Sequence, residues 1–183
     1  MDKIGYTVVF SRRRSVALSV RDGGLIVRAP RGMRKGDIAA IVDRHRAWVE
    51  KAMAKEAERA AFGASLSDAA IARLRRLARA DLSAKTAYFS EKLGIKYGRI
   101  SITGAKTRFG SCSAAGNISY SYRLMLYPEA AREYVVVHEL CHRREMNHSP
   151  RFYALVASVF PDYKERRKLL KAAPRLPWES DIK

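Results

Sequence analysis

The segment VVVHELCHRREMNHSPRF at 135–152 constrains this chain more than any other. His138 and His142 are four residues apart, so on an α-helix their imidazoles lie on one face, one turn apart, which suits two bonds to one metal ion. Glu139 projects beside them, where it is placed to take a proton from a metal-held water. The three valines before His138 predict that this helix is buried. The alternative is a partly exposed helix that carries two ordinary histidines.

A third metal ligand is predicted at His148, six residues after His142. On a continuing helix its side chain would be rotated by roughly 240° from the other two. The helix, predicted over 129–146, must therefore end before it. Asn147 tolerates the left-handed conformation that ends helices, and Ser149-Pro150 begins a new one. Three protein ligands would leave a fourth position open, as in catalytic zinc sites. The alternative for His148 is a capping or surface role.

The remaining histidine and the two cysteines are assigned structural roles. His45 lies on the apolar face of an earlier predicted helix, so we expect a packed, hydrogen-bonded residue and not a ligand. Cys141 inside the metal helix is expected to be a small core residue, and no partner identifies Cys112 as a nucleophile. Two cysteines are too few for a disulfide scaffold or a cysteine-based zinc ribbon.

The net charge of +18 predicts a polyanion, an acidic substrate or an anionic surface as partner. The alternative is a generally basic, solvated surface, and the basic residues are indeed spread along the chain. No run of 18 or more apolar residues exists, which predicts no membrane span. The short apolar stretch near the N-terminus lacks a small-residue cleavage site, so the expected location is the cytoplasm.

Two regions are predicted. Residues 1–63 are expected to form a subdomain with a β-hairpin, turning at Asp22-Gly23-Gly24, and a helix that ends near Gly63. The apolar face of this helix comprises Ile38, Ile41, Val42, His45, Trp48, Val49 and Ala52.

Residues 64–183 are expected to form the core that carries the metal helix. A helix over 66–93 should end at Gly94. Strands are predicted over 95–103 and 117–122, with a loop over 106–113 between them. The metal helix and a last long helix then follow.

These motifs resemble those of the YgjP-like metallopeptidase family, a relative of the SprT-type and WLM zinc peptidases. The resemblance implies a zincin-like α+β fold with a small mixed or antiparallel sheet, one Zn²⁺ per chain and a peptide or protein substrate. It also implies that the strand over 117–122 lies along the cleft with an edge open to an extended peptide; an ordinary sheet strand is the alternative. Arg143 and Arg144 depart from the broader zincin pattern, in which uncharged residues usually follow the second histidine. The resemblance rests on residues 28–30, 38–48, 106–128, 133–152 and 160–170.

The predicted activity is zinc-dependent peptide hydrolysis, with Glu139 as general base that later passes its proton to the leaving amine. The oxyanion needs a second donor, for which Arg108 and Tyr163 are candidates, with surface or packing roles as the alternative. Two other functions stay open. One is a DNA-associated protein with a structural zinc, or a peptidase acting on DNA-bound proteins. The other is a metal hydrolase acting on a different bond. Three imidazoles also suit copper, nickel or iron, and the sequence leaves the oligomeric state open.

Overall fold

The computed structural model describes residues 4–21 and 23–177, with only the backbone of Arg59, and its packing divides the chain into two compact units, 1–65 and 66–183. Asp22 of the predicted turn lies outside the described residues. Within the described part of the chain, no helix is both long enough and apolar enough to cross a membrane.

The first unit contains a three-stranded mixed sheet in the order β1-β3-β2. β2 (Ala17–Arg21) and β3 (Gly24–Pro30) form the predicted antiparallel hairpin. β1 (Tyr6–Ser11) pairs in parallel with the other side of β3. The prediction of a hairpin was therefore incomplete, because it lacked this third strand. Alternation of apolar residues indicates strands but not their order, which is why the position of β1 could not be foreseen.

Two helices pack on this sheet where one was predicted. They are α1 (Lys35–Arg44) and α2 (Arg46–Ala64), which are separated by His45. The core consists of alternate residues of the central strand together with one face of each helix. Its buried members are Leu25, Val27, Ala29, Ile38, Val42 and Val49.

The break at His45 changes which side chains are buried. His45 is exposed, with its Nδ1 2.9 Å from the carbonyl oxygen of Ile41. The prediction that it is packed was therefore wrong, although it is hydrogen-bonded. Trp48, predicted on the apolar face, is 49% exposed. Because the break interrupts the regular step of about 100° per residue, the residues before and after it do not share one continuous face.

The second unit begins with α3 (Asp68–Leu93), whose two ends carry the expected capping residues. The Ser67 side chain accepts a hydrogen bond from the Ala70 amide at 3.2 Å. Gly94 ends the helix in the left-handed conformation with φ +61°, as predicted. The face of α3 that meets the core comprises Leu74, Ala78, Leu82, Thr86 and Phe89.

A second three-stranded sheet, ordered β4-β6-β5, corrects the prediction for the cleft strand. Its strands are β4 (Ile100–Thr103), β5 (Gly110–Cys112) and β6 (Ile118–Ser121). β6, predicted to offer an open edge, is central, parallel to β4 and antiparallel to β5. The two edges belong to β4 and to β5, and β5 lies inside the predicted loop. A three-residue strand of Gly, Ser and Cys lacks the β-branched and aromatic residues that indicate strands.

A 3₁₀ helix and three α-helices complete this unit. The metal-site helix ends at its cap, His142, four residues before the predicted end at Met146. The next helix begins as predicted, because the Ser149 side chain accepts a hydrogen bond from the Phe152 amide at 3.2 Å. The elements are the 3₁₀ helix Tyr122–Leu126, α4 (Glu129–Cys141), α5 (Pro150–Val159) and α6 (Tyr163–Leu169).

Candidate metal centre

The structure brings together the three histidines that the sequence analysis selected. His138 and His142 project from the C-terminal end of α4, and His148 projects from the segment before α5. The centroids of the three rings are 4.9 Å apart in every pairing. One ring nitrogen from each histidine lies within 4.8 Å of the other two. The chain can therefore present three nitrogen ligands to one ion.

The outer nitrogens of two of these rings are held by neighbouring groups. The Nδ1 of His142 lies 3.0 Å from the backbone carbonyl oxygen of Glu145, to which it donates a hydrogen bond. The Nδ1 of His138 lies 3.4 Å from the hydroxyl of Tyr134, one turn earlier on α4. Such contacts leave the Nε2 atoms directed at the centre and fix the orientation of each ring. The sequence analysis missed both partners.

Phe152 packs against all three imidazoles and is fully buried. Its ring centroid lies 4.7 Å from that of His138, 4.6 Å from that of His142 and 4.9 Å from that of His148. The sequence analysis assigned this residue only to the apolar face of α5. The available signal was an aromatic residue in the first turn of the helix that follows the third histidine.

Glu139 follows His138 on α4 and is only 5% exposed. Among the described residues its Oε2 has no hydrogen-bond partner. Burial raises the pKa of Glu139 to about 7, and the charge of Arg108 opposes that rise. A β-carbon on Gly110 would lie 2.5 Å from Oε1 and 2.7 Å from Cγ, so the carboxylate occupies space that only glycine leaves free. A buried oxygen without a partner indicates a group that another species completes.

The donor set fits a metal ion. Burial lowers the pKa of His138 to about 3, with further lowering by His142 and His148, so its ring is neutral, as a metal ligand must be. The Nε2 atoms of His138 and His148 face each other at 3.0 Å. Two lone pairs at that distance repel unless a proton or a cation lies between or beside them. A set of three imidazole nitrogens suits zinc, and also other late transition metals.

The free edge of β5 passes Glu139. The Ser121 amide donates to the carbonyl oxygen of Phe109 at 2.8 Å, at the start of the β5–β6 pair. Hydrogen-bonded and non-hydrogen-bonded pairs alternate along antiparallel strands, so the backbone groups of Gly110 and Cys112 point away from β6. These amides and carbonyls form an edge that a further strand can extend.

A family model described as "YgjP-like, metallopeptidase domain" matches residues 63–173. The chain belongs to the YgjP-like metallopeptidase family. Membership supports a peptidase that uses a metal ion and acts on peptide or protein substrates, as the sequence resemblance indicated. None of the curated proteins compared with this chain matches it significantly.

Two solved structures of metallopeptidase zymogens are also similar to part of the chain. Abylysin from Pyrococcus abyssi is 23% identical over 52% of this chain and 98% of its own, with a TM-score of 0.45. Jannalysin from Methanocaldococcus jannaschii is 19% identical over 49% of this chain and 92% of its own, with a TM-score of 0.44.

The two candidate substrate contacts, Arg108 and Tyr163, belong to different elements of the fold. Arg108 is exposed in the loop before β5, close enough to Glu139 for its charge to lower the pKa of that carboxyl. Tyr163 is half-buried at the start of α6 and stacks on Tyr153 with ring centroids 5.5 Å apart. Tyr153 stacks in turn on His148 at 6.1 Å. Tyr163 is thus linked to the centre through a second aromatic ring.

A further arginine that the sequence analysis did not single out lies near the centre. Arg167 is one turn after Tyr163 on α6, so the two side chains share a face of that helix. Its charge is close enough to add to the lowering of the His138 pKa that burial causes, and to oppose the rise that burial causes in the pKa of Tyr134. The neighbouring Arg166 fixes α6 to α4 through a 2.7 Å ion pair with Glu133.

Proposed function

We propose that this metallopeptidase is zinc-dependent and that His138, His142 and His148 hold one Zn²⁺, with Glu139 as general base. The observation that supports this most strongly is the convergence of three imidazole nitrogens, together with the buried Oε2 of Glu139, which has no hydrogen-bond partner among the described residues and follows His138 in the chain. Family membership supplies the reaction class, and the geometry suggests the roles. This donor set has the three-ligand composition of catalytic zinc sites.

Bound zinc would supply Lewis acidity that activates a water near neutral pH. The chain's own contribution is the handling of the proton. Burial raises the pKa of Glu139 to about 7 in the metal-free site, which favours proton uptake. Glu139 would take a proton from the attacking water and return it to the leaving amine. The absence of a side chain at Gly110 allows this carboxylate to lie against β5.

The substrate is proposed to bind as an extended strand on β5, and not on β6 as the sequence suggested. The outward backbone groups of Gly110 and Cys112 would pair with the peptide main chain, which gives affinity without dependence on side-chain identity. Because Gly110 contacts Glu139, a peptide on this edge would pass beside the general base.

Arg108 is favoured over Tyr163 as the second group that contacts the substrate. The Arg108 side chain is exposed, and its charge reaches Glu139, next to which the attacked carbonyl would develop its oxyanion. Tyr163 is proposed to support the ring stack behind His148 through Tyr153.

A peptide-library assay tests this function with the wild-type protein beside Glu139→Gln. We expect cleavage by the wild type and a loss of roughly 10²- to 10⁴-fold in the variant, the usual contribution of a general base. Glu145→Gln is the matched control, because Glu145 contributes only its backbone carbonyl to the centre. Activity that survives Glu139→Gln rules out the proposed base. If the protein hydrolyses non-peptide bonds but no peptide, the alternative of a metal hydrolase acting on a different bond is favoured.

Association with nucleic acid rests on the net charge of +18 and stays a prediction. A gel shift over a range of salt concentrations tests it, since phosphate contacts release counterions and make binding salt-dependent.

A further inference from the structure

Arg143 connects the end of the metal-site helix to two distant backbone segments. It directly follows His142, at the position where the sequence departs from the broader zincin pattern. Its Nη1 donates to the carbonyl oxygen of Ala114 at 2.9 Å, and its Nε donates to that of Lys96 at 3.3 Å. One side chain thus joins α4 to the β5–β6 turn and to the segment that precedes β4.

The β5–β6 turn has a shape that accommodates this guanidinium. Gly116 has φ +84°, a conformation that other residues rarely adopt. A β-carbon there would also lie 2.7 Å from Nε and 2.8 Å from Cζ of Arg143. The turn is further held by hydrogen bonds from the Gly116 amide to the Ser113 carbonyl and from the Gly98 amide to the Gly116 carbonyl, both at 2.8 Å.

β5 is therefore attached to α4 at both of its ends. At its start Gly110 lies against Glu139, and the turn that follows Cys112 is held by Arg143. A sliding or tilting movement of β5 would carry its outward amides and carbonyls away from the histidines. Displacements of about 1 Å are large for groups that must align a reacting bond.

We propose that Arg143 is a positioning residue for the substrate, which holds the free edge of β5 in register with the histidine centre. The inference rests on the proposed function, because it assigns the β5 edge as the site of peptide binding. It predicts that Arg143 matters for peptides long enough to pair with β5 and much less for short substrates.

The experiment compares kcat/KM for a short peptide and an extended peptide that share the same scissile bond. In the wild type the extension should raise kcat/KM by about tenfold, as expected for two added backbone hydrogen bonds. In Arg143→Ala this gain should disappear, while zinc content and the rate with the short peptide stay close to the wild type. Arg143→Lys should restore part of the gain, because an ammonium still donates to Ala114.

Arg144→Ala is the matched control. Arg144 is the adjacent residue and also contacts distant backbone, donating to the Leu93 carbonyl at 2.8 Å at the end of α3. Its loss should lower stability but preserve the gain from peptide length. Parallel losses in Arg143→Ala and Arg144→Ala with both peptides, or an undiminished gain in Arg143→Ala, would overturn the assignment.

Hydrogen exchange separates this inference from the proposed function. In Arg143→Ala the hydrogen-bonded amides of the β5–β6 turn, those of Ser113, Gly116 and Asn117, should exchange faster, while those of α4 should keep their protection. Unchanged exchange in the β5–β6 turn contradicts the positioning role regardless of activity. If the wild type cleaves neither peptide, the proposed function fails, and exchange alone decides whether Arg143 holds the strand.

Discussion

Gly110 and Glu139 are so close that a β-carbon on the glycine would lie 2.5 Å from the carboxylate oxygen Oε1. This contact fixes the proposed general base against the strand that is proposed to bind substrate. It also explains why a glycine stands at the start of β5, where a strand-forming residue would otherwise be favoured.

Gly110→Ala should therefore displace Glu139 and lower kcat/KM by about a hundredfold, the typical cost of misplacing a catalytic group by about 1 Å. Zinc content should stay unchanged, because the three atoms nearest to the added β-carbon all belong to Glu139 and not to a histidine. Gly36→Ala is the control, since a β-carbon at Gly36 meets no atom within 4 Å. Equal activity in the two variants would show that the contact with Glu139 is unimportant.

The hydroxyl of Tyr134 should tune metal affinity through His138. Tyr134→Phe keeps the buried ring but removes the group 3.4 Å from Nδ1 of His138. We expect zinc affinity to fall by about tenfold, the lower end of the range for such outer partners. Competition with a chromophoric chelator measures this, with Tyr88→Phe on the exposed face of α3 as control. If Tyr134→Phe binds zinc as tightly as the wild type, the Tyr134 hydroxyl does not contribute to metal affinity.

Glu139 should make the metal-free protein less stable as the pH rises. Burial raises its folded-state pKa from 4.5 to about 7, so the folded state favours the protonated form. The resulting loss of stability is absent below the unfolded-state pKa of 4.5. It grows as the pH rises toward the folded-state pKa of about 7 and is fully present above that pH. Glutamine carries no such cost, so the free energy of unfolding of Glu139→Gln should rise relative to that of the wild type as the pH increases. Between pH 4.5 and about pH 8 this relative gain should be on the order of 2 kcal/mol.

Urea denaturation of chelator-treated protein at the two pH values measures this difference. The Glu145→Gln variant serves as the comparison, because Glu145 is only partly buried. A stability difference between Glu139→Gln and the wild type that does not vary with pH would contradict the predicted shift.

The charges around the centre should favour acidic substrates. Arg108 and Arg167 are exposed, and neither has an ion-pair partner within the part of the chain that the structure describes. Their charges act on Glu139 and His138 from different elements of the fold. A peptide with glutamates flanking the scissile bond should exceed its glutamine counterpart in kcat/KM by about fivefold, which corresponds to about 1 kcal/mol of attraction in water.

This preference should weaken at high salt and in the double variant Arg108→Ala/Arg167→Ala. The control is Arg79→Ala, an exposed arginine on α3. If the glutamate and glutamine peptides are cleaved equally well by the wild type at low salt, the two arginines do not select the substrate.

The parts of this account that the sequence predicted well depend on local chemistry. Ser67 and Ser149 cap helices with their own side chains, and Gly94 ends α3 through a left-handed conformation. The spacing of His138 and His142 follows from the helical repeat. These features depend only on a few neighbouring residues, so they can be predicted from the sequence alone.

The features that were missed depend on residues distant in sequence. The order of β5 and β6 is set by which strand pairs with β4, and the residues of a short strand do not encode this. The packing of Phe152 on the histidines and the contact of Gly110 with Glu139 also arise only when α4, α5 and β5 are assembled.

The most direct test of the central claim is elemental analysis of purified protein, with the wild type beside His148→Ala. The account predicts about one zinc per wild-type chain and much less in the variant, because losing one of three ligands weakens a site that folding has assembled. His45→Ala, which removes an exposed histidine of the first unit, should retain the metal. A wild type without bound metal, or a His148→Ala variant that keeps its full complement, would contradict the account.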